Sequence, residues 1–213
     1  VNLDLIYGTP GESVEDLRRS LEEVAALNVE HVSAYALIVE EGTSLARRIK
    51  QGDVALPDDD DMAEKYEVID SFLSRLGMQW YELSNWSKAN RECQHNLHYW
   101  QSHNWWGVGP GAHSHIGGVR WWNAKHPTTW SEKIKAGETP AVGREILSAS
   151  EIDFEKLLLE IRLADGFEVA ETMSDVLREL ENENLIVRKS DDRAVLTLRG
   201  RLLADAVVRR LTN

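Results

Sequence analysis

Val1-Asn2-Leu3-Asp4-Leu5-Ile6-Tyr7 leads into Gly8-Thr9-Pro10-Gly11, and Ser13 follows with Asp16 three residues further on. The first seven residues read as a strand, the next four as a turn, and the Ser–Asp spacing comes close to a capping box that opens a helix. Val14, Leu17, Leu21, Val24 and Ala25 then recur at near 3.6 spacing, and Asn28 can close the helix before the strand-like Val32-Ser33-Ala34-Tyr35-Ala36-Leu37. A strand–helix–strand unit favours parallel pairing through a right-handed crossover, so the expected class is α/β, either part of an α/β barrel or a doubly wound sheet. The chain opens on Val1, already inside a strand, with no initiator methionine and no turn before it. We therefore expect the C-terminal part of a longer protein.

Working outward, Pro57 precedes the run Asp58–Asp61. The alternating oxygen ligands and the glycine of a calcium loop are absent, so the run is read as a helix N-terminus, where the dipole favours acidic residues. Tyr66, Ile69, Leu73 and Leu76 give that helix its apolar face and Gly77 its end. Between Gln79 and Trp130 the composition changes: all eight tryptophans (80, 86, 100, 105, 106, 121, 122 and 130) fall there, with six of the seven histidines. Strands are expected at Gln79–Ser84, Trp105–Val108 and His113–Ile116, the last turning through Gly117-Gly118 into Val119-Arg120-Trp121-Trp122 and continuing the sheet. From Ile152 the pattern is helix (Phe154–Leu163), helix (Val169–Asn184), strand (Leu185–Arg188), a turn at Asp191-Asp192, strand (Ala194–Leu198) and a helix to Leu211, the order of a winged-helix module. We divide the chain into a first domain over 1–126 and a helical, winged-helix-like domain over 127–213.

The 213 residues, 42% of them hydrophobic, suffice for one large domain or two small ones with a real core. With 24 Lys plus Arg against 36 Asp plus Glu, the net charge of −12 argues against nucleic acid or anionic membrane as a partner. The terminal module follows suit, since residues 151–213 hold 10 basic and 14 acidic side chains, a balance of −4, where DNA binding leaves a basic footprint. No apolar run approaches the roughly 20 residues that cross a bilayer, and no signal-peptide layout opens the chain, so a cytoplasmic protein is expected. Cys93 is the sole cysteine, which excludes an internal disulfide and any thiolate metal site built from this chain alone.

Three places could carry chemistry. Asp4 sits in a near-continuous apolar strand, on the face of Asn2 and Ile6, where a carboxylate is costly to bury unless it is paired or binds a ligand. It lies just before the Gly8 loop, the end of the strand at which barrel active sites form. A paired structural carboxylate and a ligand-binding one are both open at this point. Gly8-Thr9-Pro10-Gly11 lacks the Gly-Lys-Ser/Thr of a phosphate loop and reads as a strand-to-helix turn. Cys93-Gln94-His95-Asn96-Leu97-His98-Tyr99-Trp100, followed by His113-Ser114-His115, is the densest constellation. It matches no zinc spacing, but an axial haem ligand needs only one His or Cys, and Trp100, Trp105 and Trp106 could pack on a macrocycle. The alternative is a tryptophan-filled core with His95 hydrogen-bonded inside it.

Taken together, Asp4–Gly11, Tyr81-Glu82-Leu83-Ser84-Asn85 followed by His95–Trp100, and Gly107-Val108-Gly109-Pro110-Gly111-Ala112-His113-Ser114 resemble the oxygen-independent coproporphyrinogen III oxidase-like radical S-adenosylmethionine (SAM) family, closest to its branch of haem chaperones. The His-Asn-x-x-Tyr-Trp stretch is what that branch carries and true coproporphyrinogen dehydrogenases lack. Thr9 departs from the leucine common in the family's turn. The resemblance implies a partial α/β barrel with an extended sheet and a small winged-helix-like terminal domain. It also implies a [4Fe-4S] cluster on a three-cysteine motif, expected upstream of Val1, that holds SAM. It assigns Asp4 and Ile38 to SAM contact and His95 to haem, and it names no catalytic acid or base. The function implied is binding of haem for delivery to haem-requiring enzymes. The alternative is oxidative decarboxylation of coproporphyrinogen III to protoporphyrinogen IX, and a winged-helix protein adaptor is a third reading. The present stretch alone is expected to be inactive, with one cysteine where a cluster takes three or four.

Overall fold

The structure, a computed structural model, describes residues 1–212. These divide into two compact units, Val1–Cys93 and Gln94 onward. The first unit runs β1 (Asn2–Tyr7), α1 (Val14–Ala26), β2 (His31–Ala36), α2 (Ser44–Gln51), α3 (Asp59–Arg75), β3 (Gln79–Glu82) and β4 (Asn85–Ser87). Its sheet has the order β1-β2-β4-β3. β1 and β2 pair in parallel across α1, as the strand–helix–strand pattern requires, whereas β4 pairs antiparallel with β2 and β3.

The caps explain where the helices begin. Ser13 Oγ accepts from Asp16 N at 3.1 Å while the Asp16 carboxylate accepts from Ser13 N at 2.9 Å, completing the capping box of α1. Asp58 caps α3 by accepting from Asp61 N at 2.9 Å, and Asp59–Asp61 fill its first turn, so the acidic run serves the helix terminus. Leu17, Leu21 and Val24 of α1 bury with Ile69 and Leu73 of α3 and with Val32, Ala34 and Trp86 of the sheet. Trp86 donates its indole N–H to Asp70 at 2.9 Å. The loop after β1 is tied to α3 by the buried Lys65, whose Nζ donates to Glu12 O and to Asp61 Oδ2, both at 2.6 Å. The Glu12 carboxylate in turn accepts from Gly8 N at 2.7 Å. Gly8 has φ +76°, and a Cβ there would run into Met62 Sδ, so the turn demands glycine.

The second unit continues α4 (Gln94–Trp100), β5 (His113–Ile116), β6 (Val119–Asn123), α5 (Pro127–Lys135), β7 (Ala141–Ile146), α6 (Ala149–Glu160), β8 (Phe167–Glu168), a 3-10 turn (Glu171–Met173), α7 (Ser174–Asn182), β9 (Ile186–Ser190), β10 (Arg193–Leu196), α8 (Leu198–Leu202) and α9 (Ala204–Leu211). β5, β6 and β7 form one antiparallel sheet, so β6 takes a strand from beyond residue 127. β8, β10 and β9 form another, with Ile161, Phe167, Leu177, Leu180, Ala194 and Val207 fully buried around it. This helix–strand–helix–hairpin order is that of a winged helix.

Two expectations are revised here. Trp105–Val108 is not a strand: only Trp105 bridges to His115, because Gly107, Gly109, Pro110 and Gly111 cannot sustain a ladder. The helix expected over Val169–Asn184 begins only at Ser174, since Phe167 and Glu168 are drawn into pairing with β10.

Candidate functional site

The first unit presents a polar sheet face. Alternation puts Leu3, Leu5 and Tyr7 on the helix side of β1 and Asn2, Asp4 and Ile6 on the other. Register then places Asn2 beside His31 and Asp4 beside Ser33, and carries the rows on to Ser87 and Asn85 of β4. Asp4 is exposed, and its Oδ1 accepts from Asn2 Nδ2 at 2.7 Å. Asn2 Oδ1 faces His31 Nδ1 at 2.6 Å, so that nitrogen carries the proton, and Nε2 accepts from the Tyr81 hydroxyl at 2.7 Å. Burial holds the His31 imidazole below its usual range, outweighing the opposite pull of the Asp4 carboxylate. Burial likewise pushes Tyr7 up to about 12. Beside Ser33, the Asn85 amide donates to the buried Glu82 carboxylate.

Ile6 and Tyr35, paired in register at the strand ends, are both exposed, as is Ile38 two residues past β2. A carboxylate, a ribbon of donors and acceptors and an apolar pair thus lie together. That combination suits a ligand with one charged end and one flat apolar end. The residue pattern singled out Asp4 and the family resemblance added Ile38; neither offered Asn2, His31, Tyr81 or Glu82 as ligand contacts. The signal was present in the period-2 recurrence of polar residues, Asn2-x-Asp4 and His31-x-Ser33.

The aromatic segment of the second unit is organised by ring contacts. His95 is exposed on α4 and meets Tyr99 edge to face at 4.9 Å between ring centres. Tyr99 meets Trp105 at 5.0 Å, and Trp105 meets His115 at 4.9 Å. His95 therefore ends a ladder of four rings rather than sitting in a core. His98 and His103 face each other at 4.9 Å, and Cys93 is exposed. Trp100 donates to Asn96 Oδ1 at 3.1 Å and lies under the Arg162 guanidinium.

The three-stranded sheet has two unlike faces. One carries His113, His115, Arg120, Trp122, Gly143 and Glu145, with His113 stacked on Trp122 and Arg120 held by Glu145 and by Glu155 of α6. The Trp122 ring fits there because Gly143 has no side chain. The other carries Ile116, Val119, Trp121, Arg144 and Ile146, with Trp106 edge to face on Trp121. Ring contacts place Trp105 on the first face, against His115, and Trp106 on the second, against Trp121.

Among the described residues, no group of three or more His, Cys, Asp or Glu side chains could hold a metal ion. With one cysteine in the chain, these residues do not make up an iron–sulfur cluster site. No helix among them is long and apolar enough to cross a membrane.

The chain is 51% identical over 214 residues to the heme chaperone HemW of Mycobacterium tuberculosis, covering 99% of this chain and 55% of that protein. It is 32% identical to the heme chaperone HemW of Bacillus subtilis, covering 97% and 57%. The fold is similar to that of the radical SAM enzyme coproporphyrinogen III oxidase (HemN) from Escherichia coli, with a TM-score of 0.76, 18% identity and coverage of 99% of this chain and 54% of that one. No family model matches. The chain belongs to the HemN-like radical SAM family. Within that family, its sequence is similar to the HemW proteins over almost its whole length, and it spans about half of theirs.

Proposed function

We propose that the chain is part of a cytoplasmic radical SAM protein that binds haem and delivers it to haem-requiring enzymes. The observation that carries this reading is the whole-chain similarity to proteins named heme chaperones, and the exposed His95 on its ring ladder supplies a ligand of the right kind. A neutral imidazole is a common axial ligand, and one protein ligand suits a carrier that must release its cargo. Asp4 and Ile38 are the residues proposed to contact SAM: Asp4 would take the charged end, and the apolar surface of Ile6, Tyr35 and Ile38 would take the adenine. Bound SAM would supply a source of radical chemistry. The fold likeness to HemN favours a second reading, the oxidative decarboxylation of coproporphyrinogen III, although a shared fold does not fix an activity.

Haem titration separates these roles. Wild type, His95→Ala, Cys93→Ser and His98→Ala are compared by Soret position, and only His95→Ala is expected to shift the spectrum and weaken binding. A wild-type spectrum and affinity in His95→Ala would return that histidine to a structural role. In the full-length protein, Asp4→Asn should weaken SAM binding and leave the thermal midpoint nearly unchanged. The opposite pattern would make Asp4 structural.

A further inference from the structure

We propose that the open face of the β5–β6–β7 sheet is a cleft for a flat, largely apolar molecule carrying carboxylates, the chemistry of a tetrapyrrole dicarboxylate. This rests on the carrier reading and adds to it a second seat for a flat macrocycle, on the face opposite the one where His95's ring ladder reaches Trp105 and His115. The cleft has a volume of about 530 Å³ and is walled by Trp106, Val119, Trp121, Pro140, Val142 and Arg144, within the roughly 300–1,000 Å³ of small-molecule sites. Trp106 and Trp121 stand edge to face with ring centres 5.3 Å apart. They form a corner where a planar ring can stack on one indole while its rim meets the other. Trp106 is 69% exposed and Val142 57%, so the cleft bares more apolar surface than scattered single side chains do.

Charge decides the class of ligand. Arg144 is the sole charged residue of the cleft wall, and its side chain makes no hydrogen bond or ion pair among the described residues. On the opposite face Arg120 is taken by Glu145 and Glu155 at 2.8 and 2.6 Å. The two arginines come from paired strands of one sheet, and only the one beside the indoles is left unneutralised. A guanidinium in that position suits a carboxylate, which it can meet with two parallel N–H donors.

The wall is also pre-formed. Buried Asn123 donates from Nδ2 to Gly109 O at 3.0 Å, and Gly107 N donates to Ser114 Oγ at 2.9 Å, so the loop that carries Trp106 is pinned on both sides of Val108. Such preorganisation lowers the ordering cost of binding. The concave shape and the single cation favour a small flat anion over a protein partner, which would meet a broad face.

The test is binding of metal-free protoporphyrin IX, followed by its fluorescence, to wild type, Trp106→Ala, Arg144→Gln and the control Arg178→Gln, with folding checked by circular dichroism. Trp106→Ala and Arg144→Gln are each expected to weaken binding about tenfold. Arg178→Gln, on an exposed side chain of α7 that does not line the cleft, should stay within about twofold. Protoporphyrin dimethyl ester, which has no carboxylate, should not distinguish Arg144→Gln from wild type. Wild-type affinity in both cleft variants overturns the inference while leaving the His95 reading intact. Failure of wild type to bind either haem or porphyrin overturns both. If sedimentation instead finds a dimer that Trp106→Ala dissociates, with porphyrin affinity unchanged, the face is a contact between copies and the inference also falls.

Discussion

The four-stranded sheet of the first unit hides polar side chains, with His31, Ser33, Asn85 and Glu82 all buried, whereas the three-stranded sheet of the second leaves Trp106, Val142 and Ile146 in solvent. Each inverts the ordinary rule of apolar inside and polar outside, and an inversion is where a surface is informative. The first sheet meets the cost of burial internally, by running hydrogen bonds from Asp4 through Asn2 and His31 to Tyr81. The second leaves its apolar surface and the exposed Arg144 in contact with water, where a ligand can reach both. A polar face already satisfied orients a ligand; an apolar face left open holds one.

The largest expected effect sharpens this contrast with one residue type. Trp86 is wholly buried and hydrogen-bonded to Asp70, so Trp86→Ala should cost about 3–5 kcal/mol. Trp106→Ala on the open face should stay within about 0.5 kcal/mol. Urea unfolding measures both, and comparable losses would mean that the open face is part of a core. Next, Gly143→Ala should destabilise by about 1–3 kcal/mol, because its Cβ enters the space of the Trp122 ring on the face that carries His113. A thermal midpoint equal to wild type would mean that this face is as loose as the open one.

The smallest effect concerns pH. His31 is held below its ordinary value of 6.5 in the folded protein, so the unfolded chain binds more protons in that interval and stability rises with pH there. The contribution is fully present above about 6.5 and drains away as pH falls from that value toward the lowered folded one. His31→Gln should flatten the slope of stability against pH over that interval, whatever it does to stability at neutral pH. An unchanged slope would show that the polar face does not depend on a neutral imidazole.

The parts legible in the sequence were those set by local rules. The strand–turn–helix opening was readable because Ser13 and Asp16 satisfy each other's backbone and Gly8 has to turn. The acidic run was readable as a cap because a helix dipole acts within one turn. What escaped notice depends on pairing between distant segments. β7 is a short, plain stretch until β6 lies beside it, so Arg144 had no visible relation to Trp121. Asn2 and Tyr81 are 79 positions apart and meet only through His31. Helix α2 has no buried residue, and an amphipathic pattern has nothing to reveal where no face is buried. His95 was singled out by the family resemblance, but its place at the end of a ladder that reaches His115 required the fold.

The clustering of all eight tryptophans between residues 80 and 130, with every tyrosine at or before Tyr99, has a consequence for anyone who watches this protein unfold by light. From residue 131 onward the chain contains neither chromophore. Emission from the indoles therefore reports mainly on the two aromatic-bearing sheets and on α4 and α5, and senses the winged-helix module only where Arg162 lies over Trp100, so that module's melting would register mostly through backbone dichroism. Fluorescence and dichroism curves that fail to coincide would here mean that this module melts separately from the sheets, a departure from two-state unfolding that the indoles alone would miss.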